Sequence, residues 1–298
     1  MENYDVIIIG GSYSGLAASM ALGRALKNVL IIDEGKPCNR QTAYSHNFLT
    51  HDGNTPAAIA SSAKLQVEQY ATVKFLKDRA VSGAKKENGF EIHTSYGETF
   101  GAKKLIIATG IKDLHPNIPG FDDCWGITVL HCPYCHGYEV RGEKTGILSN
   151  GDPGFDFMRL ISNWTNDLTL FTNGAATLTG DQREQLERKN INIIETPIDR
   201  IEHETGHLTQ ILFKDGTKFI LKVLYAPGPF EQQGIVQSLG CELTEERFIS
   251  VDSFMETTVK GVFACGDNSS HFRTVANAIA MGTAAGITAS KRIIFEEF

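Results

Sequence analysis

The sequence predicts an α/β protein built around two Rossmann-like units, and three observations support this. Two segments, one at the N-terminus and one near residue 145, follow the order strand, glycine-containing turn, helix, strand. The strands are short apolar runs, as expected of strands buried on both faces of a parallel sheet. At 298 residues the chain is long enough for two domains, each with its own apolar core.

The first unit occupies the N-terminal 34 residues. A strand is predicted at Asp5–Ile9, a helix of small and apolar residues from Gly15 onward, and a second strand at NVLIID. That second strand ends in Asp33 and Glu34. A carboxylate about 20 residues after a glycine-rich turn can bind the hydroxyls of a ribose. We therefore predict that this unit binds a dinucleotide.

The glycine-rich turn departs from the pattern G-x-G-x-x-G at one position, where Ser12 replaces the second glycine. Gly10 permits the tight turn, and Gly15 lets the helix pack closely on the strand. The helix N-terminus offers N–H groups and a positive dipole end to a pyrophosphate, and Ser12 adds a hydroxyl that can hydrogen-bond a phosphate. The change is therefore expected to preserve phosphate binding.

The second unit is a weaker match to a dinucleotide site. A strand is predicted at Thr145–Ser149, then a turn containing Gly151, Pro153 and Gly154, then a helix and the strand DLTLFTNG. Ser149 stands where the first glycine belongs, and neither an acidic residue nor an arginine ends the second strand. Two interpretations stay open: a working nicotinamide-nucleotide site, or a βαβ scaffold without that activity.

Composition excludes several classes of protein. The formal net charge is −7 and no lysine or arginine tract is present, so nucleic acid is not an expected partner. No segment approaches the roughly 20 apolar residues that a membrane span needs. Because the N-terminus also lacks the features of a secretory signal, a cytoplasmic location is the expectation.

Six cysteines are too few for a disulfide scaffold, and only Cys132 and Cys135, in the stretch HCPYCHGYE, form a close pair. A zinc site would need two more ligands, and His131 and His136 lie too close in sequence to complete a tetrahedron readily. No metal site is therefore predicted. A glutaredoxin-like C-P-Y-C would follow the first strand of a small domain, which this one does not. The preferred interpretation is a redox-active pair that closes a small disulfide ring.

The motifs DVIIIGGSYSGLAAS, IIATG at residues 106–110, C-x-x-C and GVFACGDN together resemble the low-molecular-weight thioredoxin reductase family of flavoproteins. The resemblance covers nearly the whole chain. It implies an FAD domain formed by residues 1–115 and 243–298, with the second dinucleotide-type domain, residues 116–242, inserted between its halves. The short motifs CPYCHGYE and LFTNG are also similar to the gliotoxin-type dithiol oxidases.

The resemblance implies specific contacts with FAD. Gly10, Ser12 and Gly15 would lie along the pyrophosphate and Glu34 near the adenosine ribose, with Asp33 also in the cofactor site. The other residues implied in the cofactor site are Gln41, Asn47, Thr109, Gly110, Asp267, Arg273, Thr274 and Val275. Arg273 to Val275 would begin the last helix, whose positive end would stabilise the reduced flavin.

The resemblance also implies the catalytic roles. Cys135 would be the thiol next to the flavin, and Cys132 would exchange with the substrate. His136 stands where the reductases usually carry an aspartate. Because the ordinary pKa of histidine is about 6.5, His136 is expected to accept a thiol proton at neutral pH better than a carboxylate does. His131 and Glu139 are weaker candidates for this role, and Cys124 and Cys265 are expected to be small buried residues.

An FAD-dependent dithiol/disulfide oxidoreductase is therefore the leading hypothesis, with a thioredoxin-like protein or a small dithiol as partner. Two directions of electron flow stay open. A reductase would take hydride from NAD(P)H, whereas a dithiol oxidase would pass electrons to oxygen without it. A non-catalytic flavin-binding protein is the alternative from another class. The resemblance further implies a homodimer.

Overall fold

The computed structural model describes all 298 residues, which divide into two compact units. The first unit comprises Met1–Arg40, Asn47–Lys112 and Phe230–Phe298. The second comprises Gln41–His46 and Asp113–Pro229, so it is inserted into the first. No helix has both the length and the apolar character required to cross a membrane.

Seventeen strands and eight helices are numbered here along the chain. The strands are β1 (Glu2–Ile9), β2 (Val29–Ile32), β3 (Val73–Leu76), β4 (Ala80–Lys86), β5 (Gly89–Thr94), β6 (Thr99–Ile107), β7 (Lys112–Asp113), β8 (Val129–Leu130), β9 (Thr145–Leu148), β10 (Leu168–Phe171), β11 (Asn192–Ile194), β12 (Ile198–Glu204), β13 (His207–Phe213), β14 (Lys218–Ile220), β15 (Val223–Tyr225), β16 (Phe230–Glu231) and β17 (Val262–Ala264). The helices are α1 (Tyr13–Arg24), α2 (Pro56–Val67), α3 (Phe121–Cys124), α4 (Pro133–His136), α5 (Gly151–Ile161), α6 (Gly180–Arg188), α7 (Gly234–Ser238) and α8 (Val275–Glu297).

A seven-stranded sheet forms the centre of the first unit, in the order β3-β2-β1-β6-β5-β4, with β17 also pairing with β6. β1 runs parallel to both β2 and β6, which places it in the middle of the sheet. Its residues Val6, Ile7 and Ile8 are fully buried, as predicted for this apolar run. β1 begins three residues earlier than predicted because Glu2–Tyr4 also pair with β6.

Helix α8 packs directly on α1, and glycines allow the close approach. A Cβ atom on Gly282 would lie 2.1 Å from the carbonyl oxygen of Ser14, and one on Gly286 would lie 2.5 Å from that of Ala18. Neither position has room for a side chain. The small residues that the sequence concentrates in this helix therefore serve helix–helix packing.

A five-stranded parallel sheet, in the order β11-β10-β9-β15-β8, forms the core of the second unit, beside an antiparallel sheet of β12, β13 and β14. The predicted second βαβ segment is β9, α5 and β10. The turn is shorter than predicted, because α5 already begins at Gly151, so that Pro153 and Gly154 lie in its first turn. A helix tolerates proline there because the first N–H groups have no intrahelical acceptor. The sheets and βαβ segments of the two units confirm the predicted α/β fold class with two Rossmann-like units.

Candidate active site

The paired cysteines are joined where β8 leads into α4. Cys132 and Cys135 form a disulfide, and their Cα atoms are 5.4 Å apart, within the usual range for such a bond. Cys132 is the N-cap residue of α4, and Pro133 follows at the first helical position, where its missing N–H costs nothing. One helical turn therefore brings the two sulfur atoms together.

Two other cysteines, one in each unit, are not equivalent to this pair. Cys124 and Cys265 are fully buried, as the sequence predicted. Burial raises the pKa of Cys124 to about 11 and that of Cys265 to about 12. Neither thiol is therefore ionised at neutral pH, so neither is a nucleophile.

Aromatic side chains surround the redox pair within the second unit. The ring of Trp164 meets that of Tyr134 edge-on, with centroids 5.5 Å apart. A Cβ atom on Gly137 would lie 2.9 Å from the same indole, so the turn after the disulfide rests on Trp164. Tyr134 is 63% exposed and Tyr138 is 67% exposed. Two tyrosines next to the redox pair are therefore accessible to a substrate.

His131, which precedes the first cysteine, belongs to a separate aromatic group. Its ring stacks on that of Trp125, with centroids 5.6 Å apart and an interplanar angle of 20°. Trp125 also contacts His115, whose Nδ1 lies 2.6 Å from Asp122 Oδ1. The indole of Trp125 thus contacts two imidazoles, one of which belongs to the residue that precedes Cys132.

His136, which follows Cys135, is a weaker base than the sequence suggested. Burial, followed by the charge of His46, lowers the pKa of His136 to about 4. The expectation of a pKa near 6.5 is wrong for the folded protein, because burial penalises the charged imidazolium. At neutral pH His136 is uncharged. It can accept a thiol proton only briefly, because its conjugate acid gives the proton up readily.

Sequence reasoning missed a second histidine, His46. Its Nε2 lies 3.6 Å from Oε1 of Glu139, three residues beyond His136. His46 ends the segment Gln41–His46, which belongs to the second unit although it lies far upstream of the other residues of that unit. No spacing rule connects it to the C-x-x-C motif, so only the tertiary structure reveals the pair.

The glycine-rich turn of the first unit has the tight geometry that the sequence predicted. Gly10 has a φ of +104°, and a Cβ atom there would lie 2.2 Å from the carbonyl oxygen of Ala108. A Cβ atom on Gly15 would lie 1.9 Å from the carbonyl oxygen of Gly10. The backbone N–H of Gly11 donates to Oδ2 of Asp33 at 2.7 Å. The close backbone approaches at this turn therefore require glycine at both positions, and the carboxylate of Asp33 fixes the backbone by accepting the N–H of Gly11.

The start of α1 fits a dinucleotide pyrophosphate. Ser12 is the N-cap residue, its side chain makes no capping hydrogen bond, and the first turn holds no acidic residue. The first N–H groups of a helix need acceptors from outside the helix, and phosphate oxygens are suitable ones. Asp33 uses its other oxygen to accept from the N–H of Gly35, at 2.7 Å, whereas Glu34 is exposed and pairs with Lys36 at 3.2 Å.

Two further segments converge on this turn within the first unit. A Cβ atom on Gly10 would also lie 3.1 Å from the backbone nitrogen of Thr109. The fully buried Asn268 donates from Nδ2 to the carbonyl oxygen of Ile107 at 2.9 Å, and its Oδ1 is a buried acceptor with no protein partner. Asp267 Oδ2 lies 3.7 Å from Arg273 Nε. The three motifs around Gly10, Thr109 and Asp267 are therefore one site.

The remaining predicted cofactor residues lie in different places. Thr274 is the N-cap of α8, its Oγ1 accepting from the N–H of Asn277 at 3.1 Å, so the helix proper begins at Val275. Gly110 and Asn47 both have positive φ angles, of +61° and +59°. Gln41 differs from the others because it belongs to the second unit.

The corresponding turn of the second unit is closed by its own side chains. Asn150, the N-cap of α5, accepts through Oδ1 from the N–H of Gly151 and from the N–H of Thr177, each at 2.8 Å. Its Nδ2 donates to the carbonyl oxygen of Ala175 at 2.9 Å. A Cβ atom on Gly151 would lie 2.8 Å from Thr177 Oγ1. The segment 175–177 therefore lies against the helix start that a phosphate would need.

Charges at this second turn are also unfavourable for phosphate. Asp152 lies in the first turn of α5 and accepts from Gln182 at 2.7 Å. Glu195, after β11, accepts from the N–H of Ala176 at 3.1 Å and pairs with Arg183 at 2.8 Å. Arg183 is thus paired with a carboxylate, and a second carboxylate, that of Asp152, lies at the helix start, where it disfavours a phosphate.

An α/β architecture with a dinucleotide-type glycine turn in one unit and a C-x-x-C disulfide in the other is typical of a flavin-linked disulfide oxidoreductase. No group of three or more histidine, cysteine, aspartate or glutamate side chains is placed to hold a metal ion. The chain belongs to the pyridine nucleotide-disulphide oxidoreductase family, whose model matches residues 4–282. It is an oxidoreductase enzyme of the thioredoxin reductase-like group, and FAD is its cofactor.

Individual relatives agree with this assignment. The chain is 31% identical to thioredoxin reductase tcpT of Claviceps purpurea, over 97% of this chain and 94% of that protein. It is 30% identical to thioredoxin reductase sirT of Leptosphaeria maculans, over 95% and 92%. The crystal structure of an oxidoreductase from Agrobacterium tumefaciens superposes with a TM-score of 0.91 at 34% identity, over 99% of each chain. The resemblance found in the sequence is confirmed.

Proposed function

We propose that this enzyme is a dithiol oxidase, which takes two electrons from a dithiol substrate through Cys132 and Cys135, passes them to FAD and delivers them to oxygen. The observation that carries this choice is the closed helix start at Asn150, where an NAD(P)H-dependent reductase would bind the nucleotide. A small dithiol is the proposed substrate. Oxidation of the substrate to its disulfide then accompanies reduction of oxygen to hydrogen peroxide, which balances the two electrons and two protons.

The cofactor is proposed to lie along the glycine turn of the first unit. Gly10, Ser12 and Gly15 line its pyrophosphate, Glu34 binds the ribose, and Asp267 binds the ribityl hydroxyls. Thr109, Gly110, Arg273, Thr274 and Val275 are proposed to complete the site, together with Asp33, Gln41 and Asn47. When bound, FAD supplies a two-electron acceptor that also reacts with oxygen. Asp33 acts indirectly in this proposal, since both its oxygens accept backbone N–H groups that shape the turn.

Cys132 and Cys135 have different roles in the proposed thiol–disulfide exchange. A substrate thiolate attacks Cys132, the bond between the two cysteine sulfurs breaks, and Cys135 leaves as a thiolate. The second substrate thiol attacks the mixed disulfide and releases Cys132. His136, uncharged at neutral pH, accepts the proton from the attacking thiol. Tyr134 and Tyr138 supply the exposed surface against which the substrate lies.

Weak use of NADPH follows from the second turn. A phosphate that finds no charged or backbone donor forgoes hydrogen bonds worth about 1.5–3 kcal/mol each, which is roughly a tenfold to hundredfold loss in affinity. Three arginines that are candidates to bind this phosphate each have another partner. Arg183 pairs with Glu195, Arg159 pairs with Asp156, and Arg141 lies 4.1 Å above the ring of Tyr138. NADPH is therefore expected to reduce the flavin slowly and no better than NADH.

An anaerobic stopped-flow comparison tests the proposal. The oxidised holoenzyme is mixed in turn with NADPH, NADH and dithiothreitol, and bleaching of the flavin absorbance is followed. Reduction by the dithiol, with little reduction by either nucleotide, is expected. Under air, dithiol turnover is expected to release one hydrogen peroxide per disulfide formed. Saturation by micromolar NADPH, with much weaker reduction by NADH, would instead identify a reductase that acts on a thioredoxin-like protein.

A further inference from the structure

Arg141 is an exposed cation near the redox-active disulfide, and the dithiol chemistry proposed above does not use it. Its guanidinium Cζ lies 4.1 Å from the centroid of the Tyr138 ring, and its Nη1 donates to the carbonyl oxygen of Tyr138. Tyr138 follows Cys135 by three residues, so their Cα atoms are at most about 11 Å apart. The guanidinium is therefore held beside the surface on which the substrate is proposed to lie.

Contacts with Trp164 fold this segment back on itself. The N–H of Gly142, the residue after Arg141, donates to the carbonyl oxygen of Trp164 at 2.9 Å. The indole of Trp164 meets the ring of Tyr134 edge-on at 5.5 Å and lies against Gly137. Tyr134 stands between the two paired cysteines in the sequence. Trp164 thus links the residue after Arg141 to a residue between the cysteines, and Arg141 lies in the same closed loop as the disulfide.

Arg141 has no carboxylate partner in the structure. The two acidic side chains closest to it in sequence have other basic partners: Glu139 Oε1 lies 3.6 Å from His46 Nε2, and Glu143 Oε2 lies 3.8 Å from Lys222 Nζ. A guanidinium stacked on an aromatic ring keeps in-plane N–H groups available, and two of them can bind one carboxylate. The side chain is therefore oriented to bind an anion from outside the protein.

Two phenol rings provide an apolar surface beside this cation. Tyr134 and Tyr138 are four residues apart, and Gly137 between them keeps helical backbone angles. Side chains with this spacing lie on the same face of a helical turn. Both tyrosines are more than half exposed. The loop therefore presents aromatic surface for a carbon skeleton and a guanidinium for a negatively charged group.

We propose that the dithiol substrate is an anion, which carries a carboxylate that Arg141 binds while its thiols react at the disulfide. Its carbon skeleton lies on Tyr134 and Tyr138. This inference rests on the proposed dithiol oxidase function and names the substrate class of that site. Arg141 determines specificity by direct contact with the substrate. Tyr138 is also a positioning residue, because its ring and its carbonyl oxygen hold the guanidinium.

Two probes differ only in the group that Arg141 is proposed to bind. Dihydrolipoate and dihydrolipoamide carry the same dithiol, and the first ends in a carboxylate where the second ends in a neutral amide. That end is remote from the sulfur atoms, so the thiols of the two probes have the same reactivity. Anaerobic bleaching of the flavin is followed as a function of dithiol concentration. Each protein is the full-length holoenzyme, with its FAD content and its disulfide verified beforehand.

The wild type is expected to react about fivefold more efficiently with dihydrolipoate than with dihydrolipoamide at low dithiol concentration, because an accessible ion pair of good geometry contributes about this factor. The limiting rates at saturation should be equal, since the carboxylate takes no part in the exchange. Arg141→Gln should abolish the preference and leave the reaction with dihydrolipoamide unchanged. Arg141→Lys should retain part of the preference, because lysine keeps the charge without the bidentate geometry.

Arg159→Gln is the matched control. Arg159 is an exposed arginine on α5 of the same unit, and it also lies over an aromatic ring, that of Phe155, at 5.7 Å. It differs from Arg141 in having a carboxylate partner, Asp156, at 3.3 Å. The Arg159→Gln variant should therefore keep the full preference for dihydrolipoate.

The role of Tyr138 has its own readout. Tyr138→Phe retains the ring under the guanidinium and should keep the preference, whereas Tyr138→Leu removes the ring and should reduce it. The preference of the wild type should also shrink in about 1 M salt, where the Debye length is only about 3 Å. A preference that is independent of both the ring and the salt would contradict an ion pair held in this way.

The other outcomes separate this inference from the function on which it rests. Equal efficiency of the two probes with the wild type would overturn the inference and leave the dithiol oxidase proposal intact. An equal loss with both probes in Arg141→Gln would show a structural role and would also overturn it. Loss of flavin reduction by NADPH in Arg141→Gln, with the probe preference unchanged, would assign the arginine to a nucleotide phosphate instead. Failure of both dithiols to reduce the wild-type flavin would overturn the proposed function and this inference with it.

Discussion

Replacing Gly15 by alanine tests the glycine turn most directly. Many dinucleotide-binding turns accept alanine at the third glycine position. In this protein a Cβ atom there would lie 1.9 Å from the carbonyl oxygen of Gly10. The obstacle is backbone, so no side-chain rotation can remove it. We therefore expect Gly15→Ala to damage the flavin site.

The size of the effect follows from the overlap. Side-chain carbon atoms in proteins do not approach other heavy atoms closer than about 3 Å, so α1 and the Gly10 turn must separate by more than about 1 Å. Overpacking of this kind costs about 1–3 kcal/mol in stability. The same displacement moves the first N–H groups of α1, where the pyrophosphate of FAD is proposed to lie. FAD affinity is expected to fall by at least about tenfold, since each charge-assisted hydrogen bond contributes about 1.5–3 kcal/mol.

Gly234→Ala is the matched control. Gly234 is the first residue of α7 in the same unit, and a Cβ atom there would meet nothing within 4 Å. The assay is the ratio of flavin to protein absorbance after purification, followed by titration of the apoprotein with FAD and by urea unfolding. A Gly15→Ala protein with full FAD content and unchanged affinity would refute the steric reasoning. Loss of FAD in the Gly234→Ala control would show that the assay reports general damage.

Three further predictions concern the redox pair, its histidine and assembly. Cys135→Ser is expected to retain FAD but to abolish flavin reduction by dithiols, and normal turnover would contradict its role; Cys132→Ser should give a new long-wavelength absorption band, whose absence at every pH would indicate that the two cysteine roles are reversed. The pKa of His136 is about 4 in the folded protein and about 6.5 in the unfolded chain. Between these pH values the unfolded chain therefore binds more protons than the folded protein. The free energy of unfolding should thus fall by up to about 3 kcal/mol as the pH decreases from 7 to 4. Urea unfolding of His136→Gln should show a smaller fall, and an identical pH dependence would contradict the assignment. A homodimer is expected by light scattering, and a mass of 32.7 kDa at micromolar concentration would contradict it.

The sequence was sufficient for the features that depend on local order. A glycine turn between a buried strand and a helix of small residues specifies its own geometry, since only glycine adopts the φ of Gly10 without strain. The spacing of Cys132 and Cys135 similarly allowed only a small ring. The family followed from such motifs, because each is contiguous in the chain.

Whether the turn of the second unit is accessible to a nucleotide could be decided only from the structure. The sequence left a working nucleotide site and a scaffold equally open, because it shows only the missing glycine and the added Pro153. Whether a helix start is accessible depends on what packs against it. Thr177 lies 26 residues beyond Gly151, and its approach to that glycine is a consequence of the strand pairing between β9 and β10.

Proton chemistry at the disulfide was also decided by tertiary structure. From the sequence, His136 was a base with an ordinary pKa and His46 was unremarked. The pKa of a histidine depends on its burial and on nearby charges, neither of which is written in its neighbours along the chain. Folding buries His136, brings His46 to Glu139 from a segment far upstream, and thereby separates one imidazole that stays neutral from another that has a carboxylate partner.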